Sequence, residues 1–428
     1  MAALTVLLAQ NMRYLPSHGG ANRSNRILLE ELAARGHRCV AVTPLHATEH
    51  RLSVEELLAD LAARGVTGAR RTADAVVYTY RGVTVHAVTT PARLAAEVLA
   101  VAAAARPDRT LVPSDDPGLL MLGTALRATP GRVVYLVHTL QQLPFGPRAF
   151  YPNASGLRLL RRAAGVVAVS RAARDYVGAH GGLDATLIHP PVYGDGPFPS
   201  SAGTAVTMVN PCGYKGLPIL LGLADAYPDA PFLAVPTWGT TAADRAALAR
   251  RPNITLVPPA DDLAAVYARS RVLLMPSLWD ETFGYTAVEA MLHGVPVLAA
   301  DVGGLGEAKL GVPYLLPVTP ISRYLPQRPG EPYPEPELPA QDLTPWLAAL
   351  HRLRTDDRHH AEVAAAGRTA AGVFAAGLDP GAFERYLTDL PVGAATEPTG
   401  PAGPTGPAAP ADPDRRRALA QLLARRSR

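Results

Sequence analysis

Along most of this chain, short apolar runs rich in β-branched residues alternate with longer stretches in which Ala, Leu and Arg recur at helical spacing. Apolar runs bounded by Gly, Pro or Ser read as buried strands and the stretches between them as amphipathic helices, so the pattern predicts parallel strands joined by helical crossovers. In the first half, strands are expected at Leu4 to Ala9, Arg38 to Thr43, Leu111 to Ser114, Val133 to His138, Val166 to Ser170 and Thr186 to His189. Ala75 to Val88 breaks the alternation. Two strand-like pieces there flank Arg81-Gly82, which predicts a hairpin insertion.

The segment from Pro190-Pro191 to Ser201 is rich in Pro, Gly and Ser, and the strand pattern then starts again. Its strands are expected at Val206 to Asn210, Phe232 to Val235, Ile254 to Val257, Val272 to Pro276 and Val297 to Ala300. Helices near Trp346 to Thr355, Ala361 to Phe374 and Ala382 to Leu390 close the body. The fold class is therefore α/β, with a Rossmann-like domain over 1–190, a linker over 191–203 and a second Rossmann-like domain over 204–392 facing the first across a cleft. The last helices are expected to be able to pack back on the first domain. Residues 393–413 are mostly Pro, Gly, Ala and Thr and read as a flexible linker; 414–428 reads as a basic helix or tail.

Length fits this division, since 428 residues exceed what one core usually supports. Charge changes the picture only at the end of the chain. The formal +4 is matched by the segment from Asp412 to Arg428, where six arginines face Asp412 and Asp414, so the rest is neutral and a nucleic-acid partner is not indicated. The tail is left two readings, a solvated end or docking to a protein or an anionic surface. Cys39 and Cys212 are the only cysteines and stand far apart, without ligand spacing to any His, which fits a reducing cytosol and excludes a disulfide framework or zinc site. The start, MAALTVLLAQ, lacks the charged and long apolar regions of a signal segment, and the apolar run from Leu94 to Ala105 is interrupted by Glu97, so no membrane span is expected.

The most informative stretch runs from Pro276 to Gly304, PSLWDETFGYTAVEAMLHGVPVLAADVGG. A strand delivers a loop with Glu281, a Phe283-Gly284-Tyr285-Thr286 turn follows, and the next helix carries Glu289. Free amides at a helix start attract a diphosphate, and Gly284 lets it approach the backbone. Carboxylates on the phosphate itself would repel it, so Glu281 and Glu289 suit hydroxyls of a sugar and a ribose. Asn210-Pro-Cys-Gly-Tyr-Lys215-Gly216 follows the first strand of the second domain, another place where such sheets hold phosphate. Lys215 and Lys309 are the only lysines among 41 basic residues, which favours Lys215 as a phosphate cation over a solvated cation at a helix start.

In these residues the chain resembles the family 4 glycosyltransferases of the GT-B fold, whose signature is Glu, seven residues, Glu, with Phe-Gly after the first acid and Glu-Ala-Met at the second. The resemblance implies that Glu281 contacts the donor sugar, Glu289 the ribose, and Lys215 the diphosphate. In that family an Arg usually stands five residues before this Lys; here the position is Asn210, one charge-assisted contact fewer. The resemblance also places three first-domain elements at the cleft. His138, at a strand end, would donate to a sugar hydroxyl or stabilise positive charge through its carbonyl. The Ser17-His18-Gly19-Gly20-Ala21-Asn22 loop would bring Gly19 and Gly20 to the donor phosphate and His18 to the acceptor, or would be a plain turn with Asn22 as helix cap. Asp115 would orient the acceptor, with a helix-cap role equally open to Asp115 or Asp116. Gly303-Gly304 and Glu307 would complete the cleft floor, or would serve as a turn and helix cap that need no ligand.

The expected activity is transfer of a sugar from a nucleotide diphosphate donor to a small-molecule acceptor, with retention of configuration, no cofactor and no metal, since no DxD-type motif is present. Ala- and Arg-rich usage is of the high-GC actinobacterial type, and the resemblance to glycosyltransferases of that kind implies secondary-metabolite, antibiotic-type biosynthesis, with a cell-surface glycan or lipid as the other acceptor class. A nucleotide-sugar epimerase is disfavoured by the paired glutamates. A catalytically silent sugar-nucleotide-binding or docking protein is the remaining alternative, motivated by Asn210 and the basic tail.

Overall fold

Fifteen strands gather into two sheets in the computed structural model, which describes residues 3–17, 19–46, 52–326 and 333–392. His18, the linker over 393–413 and the basic segment over 414–428 lie outside the described residues. The first sheet holds β1 (Thr5–Ala9), β2 (Arg38–Pro44), β3 (Arg70–Arg71), β4 (Ala75–Tyr80), β5 (Val83–Val88), β6 (Arg109–Pro113), β7 (Val133–Val137), β8 (Gly165–Ala168) and β9 (Thr186–Leu187). Their order is β3-β4-β5-β2-β1-β6-β7-β8-β9. The second sheet holds β10 (Ala205–Val209), β11 (Phe232–Val235), β12 (Ile254–Leu256), β13 (Ser270–Met275), β14 (Val297–Ala300) and β15 (Leu315–Leu316), ordered β12-β11-β10-β13-β14-β15.

All neighbours run parallel except β3 with β4 and β4 with β5. The hairpin around Arg81-Gly82 is therefore present, but it is not a separate insertion. β5 pairs parallel with β2 from Cys39 opposite Val83 to Pro44 opposite Val88, so the hairpin extends the sheet at its edge. Strand β8 stops two residues early because Ser170 leaves it to cap the next helix, its Oγ accepting from Ala173 N at 3.0 Å. The helix after β1 begins at Gly20 rather than near Arg23. β3 and β15, two residues each, were not expected, because a strand that short carries no alternation to read.

Strands buried on both faces need cover on both, and helices supply it. One apolar cluster forms on each face of the first sheet, and a third surrounds the second sheet. The helix Ala382–Asp389 crosses back to the first domain, where Phe383 and Leu387 join the cluster beneath β1. Glu384 meets His37 Nε2 at 3.0 Å, and Arg109 Nε donates to Leu387 O at 2.8 Å, so the polar rim of that contact is satisfied too. No helix among the described residues is long and apolar enough to cross a membrane.

Candidate functional site

Both sheets turn the carboxyl ends of their central strands toward one cavity of about 1470 Å³. The strand order reverses at β1–β6 in one sheet and at β10–β13 in the other, and ligands of open α/β sheets bind in the crevice outside such a switch point. The chain leaving β1 lines the cavity with Gly19 and Gly20, and those leaving β6 and β7 line it with Asp115 and His138. From the other side come Asn210 and Lys215 after β10 and Glu281 through Thr286 after β13. Single small-molecule pockets usually measure ~300–1,000 Å³, so this cavity has room for two ligands side by side.

The loop after β13 is held by backbone contact. Gly304 N donates to Glu281 O at 2.6 Å, while a Cβ on Gly303 would stand 2.3 Å from that oxygen and one on Gly304 2.2 Å from Thr282 O. Only glycine lets the two backbones run so close. Glu281 Oε1 accepts from Lys215 Nζ at 2.5 Å and also from Ser277 Oγ. The Lys215 ammonium lies 4.6 Å from the centre of the Trp279 ring, which leaves the cation in contact with two partners of electron-rich character. Gly284, at φ 117°, then opens the helix Tyr285–Leu292. Its first amides have no acceptor within the helix, and the positive end of the dipole faces the cavity with them. Farther in, Glu289 accepts from Tyr267 Oη at 3.0 Å and from Arg23 Nη1, which reaches over from the first domain.

Asn210 sits at φ 57° just past β10. Its Oδ1 accepts from Gly239 N at 3.0 Å and Thr240 Oγ1 at 3.4 Å, which fixes the amide and leaves the shielded Nδ2 as a donor without a partner.

The first-domain groups are arranged by different chemistry. Ser114 Oγ accepts from His138 N and Thr139 N, both at 2.9 Å, and so ties the end of β7 to the end of β6. Gln10 Nε2 donates to Met12 O at 2.7 Å, and a carbonyl can only accept, so Gln10 Oε1 must face Asn25 Nδ2 at 3.2 Å. Asn25 Oδ1 is then left to accept from His138 Nε2 at 2.7 Å. The relay sets the imidazole tautomer: Nε2 carries the proton and Nδ1 is a bare lone pair, shielded and unpartnered. Burial pushes His138 down to about 4, so the ring is neutral at ordinary pH. Next to it, Asp115 Oδ1 accepts from Thr139 Oγ1 at 2.8 Å while Oδ2 has no partner, and burial lifts this carboxyl to about 6.

Two family models match the chain, one described as Glycosyltransferase Family 4 over 18–193 and one as Glycosyl transferases group 1 over 225–318. The chain carries a family 4 and a group 1 glycosyltransferase domain. Among solved structures, it is similar to a sucrose-phosphate synthase from Thermosynechococcus elongatus, at 16% identity and TM-score 0.64 over 90% of this chain and 99% of that one. It is also similar to Anabaena Alr3699/HepE in complex with UDP and glucose, at 18% identity and TM-score 0.60 over 90% and 98%. These likenesses show the GT-B fold. A D-inositol 3-phosphate glycosyltransferase of Rhodococcus erythropolis (strain PR4 / NBRC 100887) is 49% identical over 58 residues, 13% of this chain and 13% of that protein. One of Streptomyces bingchenggensis (strain BCW-1) is 53% identical over 45 residues, 10% of each. The matched stretch thus spans only a small part of those relatives.

Between these two glycosyltransferase domains, the cavity collects Glu281, Lys215, Asn210, Phe283, Gly284, Tyr285, Thr286, Glu289, His138, Asp115, Gly19 and Gly20. Several expected roles change. His138 cannot donate from its cleft-lining ring while Asn25 holds Nε2; it offers an acceptor instead. Asn22 does not cap the first helix, because it lies inside that helix and its Oδ1 accepts from Gln10 Nε2 at 3.0 Å. Asp116 is the cap of the pair, taking the amides of Leu120, Met121 and Leu122 at 2.7 to 3.1 Å, which leaves Asp115 for the cavity. Glu307 does not floor the cleft. Its Oε2 accepts from Arg171 N at 2.8 Å and Ala172 N at 3.3 Å, so it caps the start of a first-domain helix across the interface. Gly19 and Gly20 pack on the opposite domain: a Cβ on Gly20 would stand 2.9 Å from Tyr285 Cδ2.

Sequence reasoning missed Arg23, Asp261 and Phe150. Arg23 engages Glu289; Asp261 accepts from Ser17 N at 2.9 Å and Arg64 Nη1 at 2.6 Å, joining the domains at the cleft rim. Phe150 left a readable signal, an aromatic pair inside the Pro-rich run LPFGPRAFYPN just after His138. The ion pairs left none, since their partners are separated by more than the length of a domain.

Proposed function

We propose that the protein transfers a sugar from a nucleotide diphosphate donor to a small-molecule acceptor, retaining anomeric configuration and using no divalent metal, in secondary-metabolite biosynthesis. The observation that carries this reading is the meeting of an amide-rich helix start, the Lys215 ammonium and the Glu281 carboxylate in one interdomain cavity with room for two ligands. A diphosphate placed at the Gly284 turn takes the first amides of the helix and draws Lys215 from Glu281. The freed carboxylate then accepts from hydroxyls of the donor sugar. Asn210 Nδ2 adds a neutral donor where its relatives usually carry a cation. In the transfer, the bond from the anomeric carbon to the phosphate oxygen breaks, the acceptor oxygen bonds to that carbon on the same face, and its proton passes to the departing phosphate. Positive charge for the leaving group comes from Lys215 and the helix amides, a role filled elsewhere by a metal ion.

A thermal-shift series with UDP-, GDP-, ADP- and dTDP-sugars tests the donor class, since a ligand bound to the folded state raises its apparent stability. Stabilisation by one nucleotide sugar, donor turnover unchanged by EDTA, and loss of that turnover in Glu281→Gln are the expected results. A chain that binds a nucleotide sugar but neither transfers nor hydrolyses it is the silent binding protein instead.

A further inference from the structure

Part of the cavity lining is a group of rings and aliphatic side chains, set beside polar groups such as Thr139, Gln141 and Gln142. We propose that it is an acceptor subsite for an uncharged molecule with a flat, largely apolar body and a reactive hydroxyl, such as a phenol or polycyclic aromatic alcohol, and that it rejects phosphorylated acceptors. The proposal rests on the glycosyltransferase reading and narrows its acceptor.

Phe150, on the irregular segment between β7 and β8, crosses the cleft into a group of rings on the second domain. It lies edge-on to Tyr324 at 5.0 Å between centroids and 6.3 Å from both Trp279 and Tyr333. Trp238 continues the wall, 5.8 Å from Trp279 and 5.4 Å from Tyr333. Opposite stand Pro117, Leu119 and Leu120 at the end of β6, where Leu119 adopts φ 52° and Leu120 is 51% exposed on the cavity lining. A solvent-facing Leu beside a wall of rings favours an apolar occupant, and rings of this kind stack on flat ones with about 0.5–1.5 kcal/mol beyond area burial. A carbohydrate acceptor would find no partner in the side chains of Pro117, Leu119 and Leu120.

The charges argue the same way. The described cationic side chains lining the cavity are Arg13, Arg23 and Lys215. Arg23 is held by Glu289, Lys215 leaves Glu281 for the donor diphosphate in the proposed complex, and Arg13 is 5% exposed with Nε donating to Pro16 O at 3.3 Å. Arg148, near Phe150, is paired with Asp280. A phosphomonoester carrying ~1.5–2 negative charges would leave water without gaining a free cation, next to Asp115. A neutral hydroxyl meets the opposite situation. The shielded Oδ2 of Asp115 lacks a partner, and a donated O–H would satisfy it.

The test uses the full chain and whichever nucleotide sugar stabilises it. Transfer is measured to a hydroxyflavone, a hydroxycoumarin and a hydroxyanthraquinone, to an inositol phosphate, and to maltotriose, with donor hydrolysis followed in parallel. Expected is a kcat/KM at least about tenfold higher for an aromatic alcohol than for the inositol phosphate or maltotriose. Leu120→Arg, on an exposed position, should lower the aromatic kcat/KM about tenfold and narrow the gap to the inositol phosphate, with donor KM unchanged. Preference for the phosphorylated acceptor or the oligosaccharide, or donor hydrolysis without transfer to any aromatic alcohol, overturns the proposal and leaves the donor reading standing. Absence of donor binding and hydrolysis overturns that reading itself.

Discussion

On the β13 side of the cleft, Glu281 and Lys215 form an ion pair, and 14% and 17% of their side chains stay in contact with solvent. On the β6 and β7 side, burial shifts the titration instead: His138 is neutral down to about 4, and Asp115, lifted to about 6, is a carboxylate only above that value. One wall is therefore built to exchange ion partners when an anion arrives, and the other to present fixed lone pairs to hydroxyls. The contrast assigns leaving-group stabilisation to the second domain and hydroxyl recognition to the first.

The largest effect is expected from Lys215→Ala, because it removes the only described cation at the diphosphate turn not tied across the domain interface. Loss of one group that stabilises developing charge lowers kcat by ~10²–10³. Steady-state transfer assays check this, with donor affinity followed separately. A fall confined to KM would mean that Lys215 only binds, and the division of labour between the walls would fail on its charged side.

His138→Ala should cost less, about 10- to 100-fold in kcat/KM, the range for one hydrogen bond of ~1.5–3 kcal/mol in a buried site. Asn25→Asp sharpens the point. It sets a carboxylate where Asn25 Oδ1 now stands 2.7 Å from Nε2, and a neighbouring negative charge favours the imidazolium. The His138 pKa then rises from about 4, and below its new value Nδ1 carries a proton and loses its lone pair. Activity of this variant should fall as pH drops through a range where the parent is unaffected by His138. Parallel pH profiles of the two proteins decide it; superimposable acid limbs would remove the bare Nδ1 from the mechanism.

The charged wall was largely legible in the amino-acid sequence, whereas the neutral wall was not, and the reason is locality. Phe232–Val235 and Val297–Ala300 fall where apolar β-branched runs stop at Gly or Pro, and Glu281, Gly284 and Glu289 belong to one strand, turn and helix. Each of those features is fixed within about twenty residues. The His138 tautomer depends on Gln10 and Asn25, more than a hundred positions away, and Glu307 finds its amides 136 residues upstream. Such partners exist only once the domains have closed, so the spacing of polar residues could announce a polar group but not its mate. The aromatic wall is intermediate: its rings sit in Pro-rich loops where exposure was foreseeable, and their meeting was not.

Asn210→Ala tests whether the charged wall also uses a neutral donor. The substitution deletes an unpartnered Nδ2 and also frees Gly239 N and Thr240 Oγ1 from Oδ1. A lost hydrogen bond to a charged phosphate is worth ~1.5–3 kcal/mol, so donor KM should rise about tenfold or somewhat more, with kcat changed less. Asn210→Asp, which keeps the size but repels an anion, should be worse than Ala. An unchanged donor KM in both would show that phosphate does not reach Asn210.

The smallest effect concerns Asp115 and is read as a shift in pH. As a carboxylate, Asp115 can accept from an acceptor hydroxyl through Oδ2; protonated, it loses that capacity in part. Its pKa of about 6 makes kcat/KM for the acceptor fall as pH drops through that value, while His138, held near 4, does not titrate there. Burial is what lifts the carboxyl, and the 2.8 Å bond from Thr139 Oγ1 opposes it by favouring the charged form. Thr139→Val removes that bond with little change of volume. At ~1.4 kcal/mol per pH unit, loss of a bond worth ~1 kcal/mol moves the acid limb up by roughly half to one unit, with the plateau at pH 8 nearly unchanged. A limb that stays in place, or moves down, would assign it to a group other than Asp115 and take the acceptor hydroxyl away from the neutral wall.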